Sequence, residues 1–293
     1  MFQTTILNEV KNIGIGLHKG SAINITLSPL DANSGVVFYR SDLNKYYKAN
    51  YENVINTQMA TVIGDKDGFI STIEHLMSAL HAYGIDNILI SIDANEVPVF
   101  DGSSLAFCDM LERAQITKLS ARKQVYVLKK EVKVEENAKF ALLSATNEPS
   151  YDFTINFNHK LIAKQDYKFT FNKVNFIKEI ASARTFGFLK DVQALKSKGL
   201  ALGGSLENAI VLDDDKILNP EGLRFENEFV RHKILDAIGD LYMLGKPVFA
   251  NYKAYASSHD LNHKLTLKML ENPSSYELVT LDSNSKELLK ALS

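Results

Sequence analysis

Residues 228–245, EFVRHKILDAIGDLYMLG, decide how this chain is read. At about 100° per residue, Val230, Ile234, Ala237, Ile238 and Leu241 share one helical face, and Gly245 stands where such a helix ends. A strand is expected next, over 248–255. The same succession occurs earlier in STIEHLMSALHAYG, residues 71–84. There Ile73, Leu76, Met77, Leu80 and Tyr83 form an apolar stripe, Gly84 closes the helix, and NILISID (87–93) reads as a strand. Upstream of each helix the period is two. Ile23, Ile25 and Leu27 alternate with polar residues, as do Val125 and Val127, Val132 and Val134, and Phe153, Ile155 and Phe157. Each half therefore runs strands, a glycine-closed helix, then a strand. The expected fold is α+β, two similar domains, each a small β-sheet layered against helices. The first spans 1–120 with a small insert and a further helix at 105–114; the second spans 121–293. The second carries extra material at 187–212, an amphipathic stretch followed by Gly203-Gly204.

Composition narrows the chemistry. The 293 residues carry 33 basic and 35 acidic side chains, so no basic footprint for nucleic acid is expected. A single cysteine, Cys108, excludes an internal disulfide framework and a thiolate zinc cluster. Any metal must then be held by carboxylates and some of the seven histidines. No apolar run approaches the ~18 residues of a membrane span. The opening MFQTTILNEV lacks the pattern of a signal peptide, so a cytoplasmic protein is expected. No coiled-coil heptads appear, and a monomer is expected.

On the long helix, His232, Asp236 and Asp240 follow one another at intervals of four, opposite the apolar face. Residues four apart are neighbours on a helix surface, so His232 and Asp236 could share a metal; a polar stripe in that position is more often solvated surface. On the earlier helix, His75 lies away from the apolar stripe, above Ser78, Ala79 and Ala82, whose small size allows close approach of another surface. Glu74 beside it also fits a capping box, Ser71-x-x-Glu74, in which it serves only a backbone amide. Two histidines and one aspartate would bind zinc with a position left open for water. The same set suits Fe(II) in oxygenases, so these ligands alone do not choose between hydrolysis and oxidation.

Six further segments make the pattern specific: GIGLHKG (14–20), TIEHLMSAL (72–80), PVFDGSS (98–104), ARTFGF (183–188), LGGSLENAIV (202–211) and LRFENEFVRHKILDAIGDLY (223–242). In order and spacing, and over nearly the whole chain, the sequence resembles the UDP-3-O-acyl-N-acetylglucosamine deacetylase family. These are zinc amidases that take the first committed step of lipid A synthesis in Gram-negative bacteria. The resemblance implies an acylated UDP-sugar as substrate, and zinc as cofactor, with Fe²⁺ the alternative ion in the cell. It assigns His75, His232 and Asp236 to the metal. Glu74 becomes the general base, against its capping reading, and His259 the general acid, oriented by Asp240. Thr185 helps hold the oxyanion. Lys233 stands near the sugar-diphosphate, with Lys139 as a further cation. Phe186, Phe157, His159 and His18 fall in substrate-contacting regions. The family places its active site between the two domains. It makes the 187–212 insert, a βαβ piece, the wall of an acyl-chain passage, here Phe188, Val192, Leu195, Leu200 and Leu206. Many members carry a lysine where this chain has Ala256.

Overall fold

The computed structural model describes residues 1–197, 199, 201–283 and 285. Its α-helices are α1 (Glu74–Ala82), α2 (Leu105–Ala114), α3 (Lys173–Glu179), α4 (Leu189–Ser197), α5 (Glu228–Tyr242) and α6 (His259–Leu270). Two five-stranded sheets carry the architecture. The first has the order Val10–Ile15, Ala22–Pro29, Ile88–Ile92, Val36–Arg40, Lys45–Lys48. The second has Val132–Glu136, Lys139–Ser144, Asn251–Tyr255, Ser150–Asn156, Lys164–Thr170. In each, the strand that arrives last in sequence sits in the middle, antiparallel to one neighbour and parallel to the other. A parallel pairing needs a crossover, and α1 and α5 lie on those two crossovers. The mixed α+β fold is thus built twice on one plan, as the alternating periods predicted.

Alternation does its expected work in the strands. Along Ala22–Pro29, Ile23, Ile25 and Leu27 are buried while Ala22 and Asn24 are exposed. The predicted helix at 105–114 is α2, and Gly84 takes φ +68° just beyond α1, a left-handed position that glycine adopts without strain.

Three local expectations need correction. Helix α1 begins at Glu74, not at 71, because Thr72 has φ +59° and Ser71 is tied to the 95–97 segment: its N–H donates to Asn95 O at 3.0 Å. The capping box is therefore absent; Ile73 precedes the helix and makes no side-chain cap. The strand expected over 248–255 is two strands. Val248–Phe249 joins the sheet of Gln124–Leu128, and Asn251–Tyr255 the second five-stranded sheet. The stretch SSHDLNH (257–263) opens α6: Ser258 caps it, and Leu261, Leu265 and Met269 recur every four residues on its buried side. Finally, α5 is buried almost all round, so its polar stripe is not a solvated face. No helix among the described residues is long and apolar enough to cross a membrane.

Candidate metal centre and active site

The site exists because α1 lies directly against α5. A Cβ on Gly239 would stand 2.1 Å from the carbonyl oxygen of Glu74, so only glycine permits the contact. Ser78 and Ala79, the small residues on α1, are fully buried. Ser104 Oγ donates to His75 O at 2.8 Å and fixes the start of α1 from α2's side.

This crossing sets His75 against two residues of α5. His75 Nε2 and His232 Nε2 lie 3.6 and 3.4 Å from Asp236 Oδ1. One ligand atom from each of the three residues falls within 4.8 Å of the others, and all three are buried. Asp236 Oδ1 nevertheless has no hydrogen-bond partner. A carboxylate oxygen stranded in the interior between two imidazole nitrogens is costly unless a cation completes it. His232 Nδ1 lies 3.0 Å from Ala183 O. A carbonyl only accepts, so Nδ1 carries the proton and the Nε2 lone pair faces Asp236, the arrangement of a metal-ligating histidine. Burial pushes His232 down to about 3, which keeps the ring neutral. Burial would raise Asp236, but the neighbouring His232 and Lys233 hold it well below the usual carboxylate range. A neutral imidazole at His232 and an ionised carboxylate at Asp236 are protonation states a metal requires, so the donor set fits a divalent ion.

Beside these ligands stands a second constellation. Glu74 is 3% exposed, and its Oε2 accepts from Thr61 N at 3.1 Å. Its Oε1 lies 3.9 Å from His259 Nε2. Burial raises the Glu74 carboxyl above its ordinary value. His259 Nδ1 donates to Asp240 Oδ2 at 2.9 Å. Burial would lower this imidazole, but Asp240 and then Glu74 outweigh it and carry it up to about 10. His259 is the first residue of α6, where the helix dipole disfavours a cation, so it is the surrounding carboxylates, Asp240 first, that keep it charged. A carboxylate and a charged imidazole thus face one another beside the His75, His232 and Asp236 cluster.

Both groups open into a cavity of about 230 Å³ whose wall includes Glu74, His75, His232, Asp236 and His259. Thr185, Phe186, Lys233, His18 and Val192 also line it, as do Met59, Ala201 and Val211. Thr185 is held by its N–H, which donates to Gly102 O at 2.8 Å. Gly102, at φ +83°, has no room for a Cβ, which would meet Asn208 O at 2.2 Å. Lys233 Nζ is not free: it pairs with Asp236 Oδ2 at 2.8 Å. His18 N donates to both oxygens of Glu96 at 3.1 Å, and its loop accepts from Leu202 N and Gly203 N across the chain's two halves.

The remaining sequence candidates lie outside the wall. Phe157 packs on Phe186 and Phe188, with centroids 5.7 and 6.1 Å away. His159 Nε2 is 3.0 Å from Asp213 O. Lys139 is exposed at the head of its strand, and Leu206 is exposed beyond the cavity. The insert is βαβ as expected: Phe186–Phe188 pairs in parallel with Ile210–Leu212 across α4. Leu200 and the side chain of Leu195 lie outside the described residues. Ala256 has φ +47°, and its N–H donates to Thr154 O at 2.8 Å. Sequence reasoning passed over Thr61, Asn262 and Glu96. Asn262 stood three residues beyond His259 at helical spacing and was legible once α6 was recognised; Thr61 and Glu96 carry no local signal.

Comparison with known proteins finds a family and near relatives. A family model described as UDP-3-O-acyl N-acetylglycosamine deacetylase matches residues 3–271. A UDP-3-O-acyl-N-acetylglucosamine deacetylase of Campylobacter fetus is 60% identical over 292 residues, 99% of each chain. That of Campylobacter lari is 62% identical over 285 residues, 97% of each chain. One from Campylobacter jejuni is 60% identical over 287 residues, 98% of each chain.

Proposed function

This chain belongs to the UDP-3-O-acyl N-acetylglycosamine deacetylase family, and from that premise we propose how its residues release acetate from a UDP-3-O-acyl-N-acetylglucosamine. The enzyme is a hydrolase of lipid A synthesis. His75, His232 and Asp236 would hold the metal, which we take to be zinc, with Fe²⁺ the alternative the same donors would accept. When bound, the ion supplies Lewis acidity toward a water and the acetyl carbonyl. Glu74 takes a proton from the attacking water at Oε1; its raised pKa makes it a better base than an exposed carboxylate. The Thr185 hydroxyl donates to the oxygen on which charge develops. His259 gives its Nε2 proton to the departing amine nitrogen. Asp240 holds Nδ1–H throughout, so the imidazole keeps its direction. One water and one amide become acetate and a protonated amine.

Lys233, through its ion pair, supports the Asp236 charge while presenting a cation to the cavity. Val192, Ala201 and Val211 supply apolar wall for the acyl chain. His18, Phe157, His159 and Lys139 are assigned to the substrate's outer parts. The two repeated units, 1–120 and 121–293, are the domains of this reading, acting as a monomer in the cytoplasm without nucleic acid. The observation that carries the proposal is the stranded Asp236 Oδ1 between two Nε2 atoms, beside a paired Glu74 and His259. Its test is acetate release from the acylated UDP-sugar, abolished by chelator and restored separately by Zn²⁺ and by Fe²⁺. Absence of release from metal-replete protein would refute it.

A further inference from the structure

Glu74 and Asp240, which serve opposite ends of the proposed proton path, converge on one residue that no motif marks. Thr61 precedes the strand Val62–Asp65. Its N–H donates to Glu74 Oε2 at 3.1 Å and its hydroxyl to Asp240 Oδ1 at 2.6 Å. Its carbonyl accepts from Ile73 N at 3.5 Å, at the residue preceding α1. Every polar atom of Thr61 is therefore engaged, and the residue is 3% exposed. The turn that carries it is fastened to the far half of the chain as well, because Thr57 Oγ1 donates to Asp260 Oδ1 at 3.2 Å on α6.

We propose that Thr61 is a positioning residue for the deacetylation, setting Glu74 with its amide and Asp240 with its hydroxyl so that proton acceptor and proton donor keep a fixed relation. The inference rests on the reaction proposed above. Asp240 accepts from three side chains. Asn262 Nδ2 reaches Oδ2 at 2.8 Å, and His259 Nδ1 spans both oxygens at 2.9 and 3.1 Å. Apart from the histidine it must hold, only Thr61 among the described residues secures Oδ1. Without that hydroxyl the carboxylate can turn about its terminal bond, and the His259 ring turns with it. Thr61 does not line the cavity, so its effect belongs to turnover and not to substrate binding.

The test compares Thr61→Val, Thr61→Ala and Thr61→Ser in the full-length, metal-loaded enzyme. Acetate release, metal content and the His259 Nδ1 proton resonance in histidine-labelled protein are measured together. A buried hydrogen bond to a charged group predicts a kcat loss of roughly 10- to 100-fold in both Val and Ala variants. KM and metal content should hold, and the resonance should shift. Ser should recover most of the turnover and the wild-type resonance. A Val variant with wild-type kcat, a Ser variant as poor as Val, a parallel rise in KM, or an unmoved resonance would each overturn the proposal. Wild-type protein in the same assay tests the deacetylase reading separately: if it releases no acetate that reading fails, while the resonance still reports on Thr61.

Discussion

The two halves share a sheet order and differ in what they insert at one topological position. In both, extra chain lies between the fifth strand of the sheet and the crossover helix. The first half uses it for three short strands, Val54–Asn56, Val62–Asp65 and Gly68–Ile70, whose turn delivers Thr61 to two carboxylates. The second uses it for α3 and the βαβ piece around α4, which brings Phe186, Val192 and Val211 to the cavity. The helices that follow have diverged too. The nine-residue α1 offers Glu74 and His75, while the fifteen-residue α5 offers His232, Asp236 and Asp240. Duplication supplied two equivalent frames; the site arose where their unlike parts face each other. Among the described residues, the cluster that could hold a metal draws His75 from the first half and His232 and Asp236 from the second.

That division is most sharply tested by separating metal retention from turnover. Glu74→Ala and His259→Ala should each lower kcat by roughly 10³-fold, with metal stoichiometry unchanged. Asp236→Ala should lose the metal itself, read by elemental analysis of the purified protein. If Glu74→Ala also emptied the site, the base and the ligand set would not be separable functions.

How much of this was legible in the sequence follows from the range of each signal. Alternation of Ile23, Ile25 and Leu27 and the glycine stops at Gly84 and Gly245 are local, and they announced the repeated α+β plan directly. His232 and Asp236, four apart on one helix, were legible as a pair. Their burial was not, because it depends on what packs against α5. The same ignorance let Ser71-x-x-Glu74 pass as a capping box, which the bridge between residues 71 and 96 rules out. That His259 opens a helix was not legible, because the apolar side of α6 is sparse and its cap, Ser258, sat among other polar residues. Thr61 acts through contacts 13 and 179 residues away in sequence, a separation at which no pattern survives.

A smaller effect is expected where the two helices touch. Gly239→Ala gains helix propensity of up to about 1 kcal/mol. The new Cβ meets Glu74 O at 2.1 Å, however, and overpacking against backbone costs roughly 1–3 kcal/mol. Because a carbonyl cannot swing aside as a side chain can, the clash should win. A lower denaturation midpoint and weakened metal binding, measured by titration, are expected together. A variant as stable as wild type with intact metal affinity would mean that the two halves can separate without cost to the site.

The weakest expected effect lies at the other end of the same contact, where the pairing is structural and not chemical. His81 of α1 stacks on Tyr242 of α5 with ring centroids 4.6 Å apart and planes 2° from parallel. Its Nδ1 lies 3.4 Å from Ile238 O. Burial lowers this histidine to about 4, so the folded protein keeps it neutral while the unfolded chain protonates it near its ordinary value. Protons then favour unfolding: stability should fall as pH drops from about 6.5 toward 4, and be untouched above that window. At pH 5.5 the loss from this one group comes to about 1 kcal/mol. His81→Phe keeps an aromatic ring on Tyr242 and removes the titration. Denaturation midpoints recorded for both proteins at pH 7.5 and 5.5 isolate the contribution, since the other titrating groups are common to the two. The variant should lose less stability than wild type between those values. Equal losses would show that the rings part or hydrate on acidification, and that the two repeated units are coupled at the metal end alone.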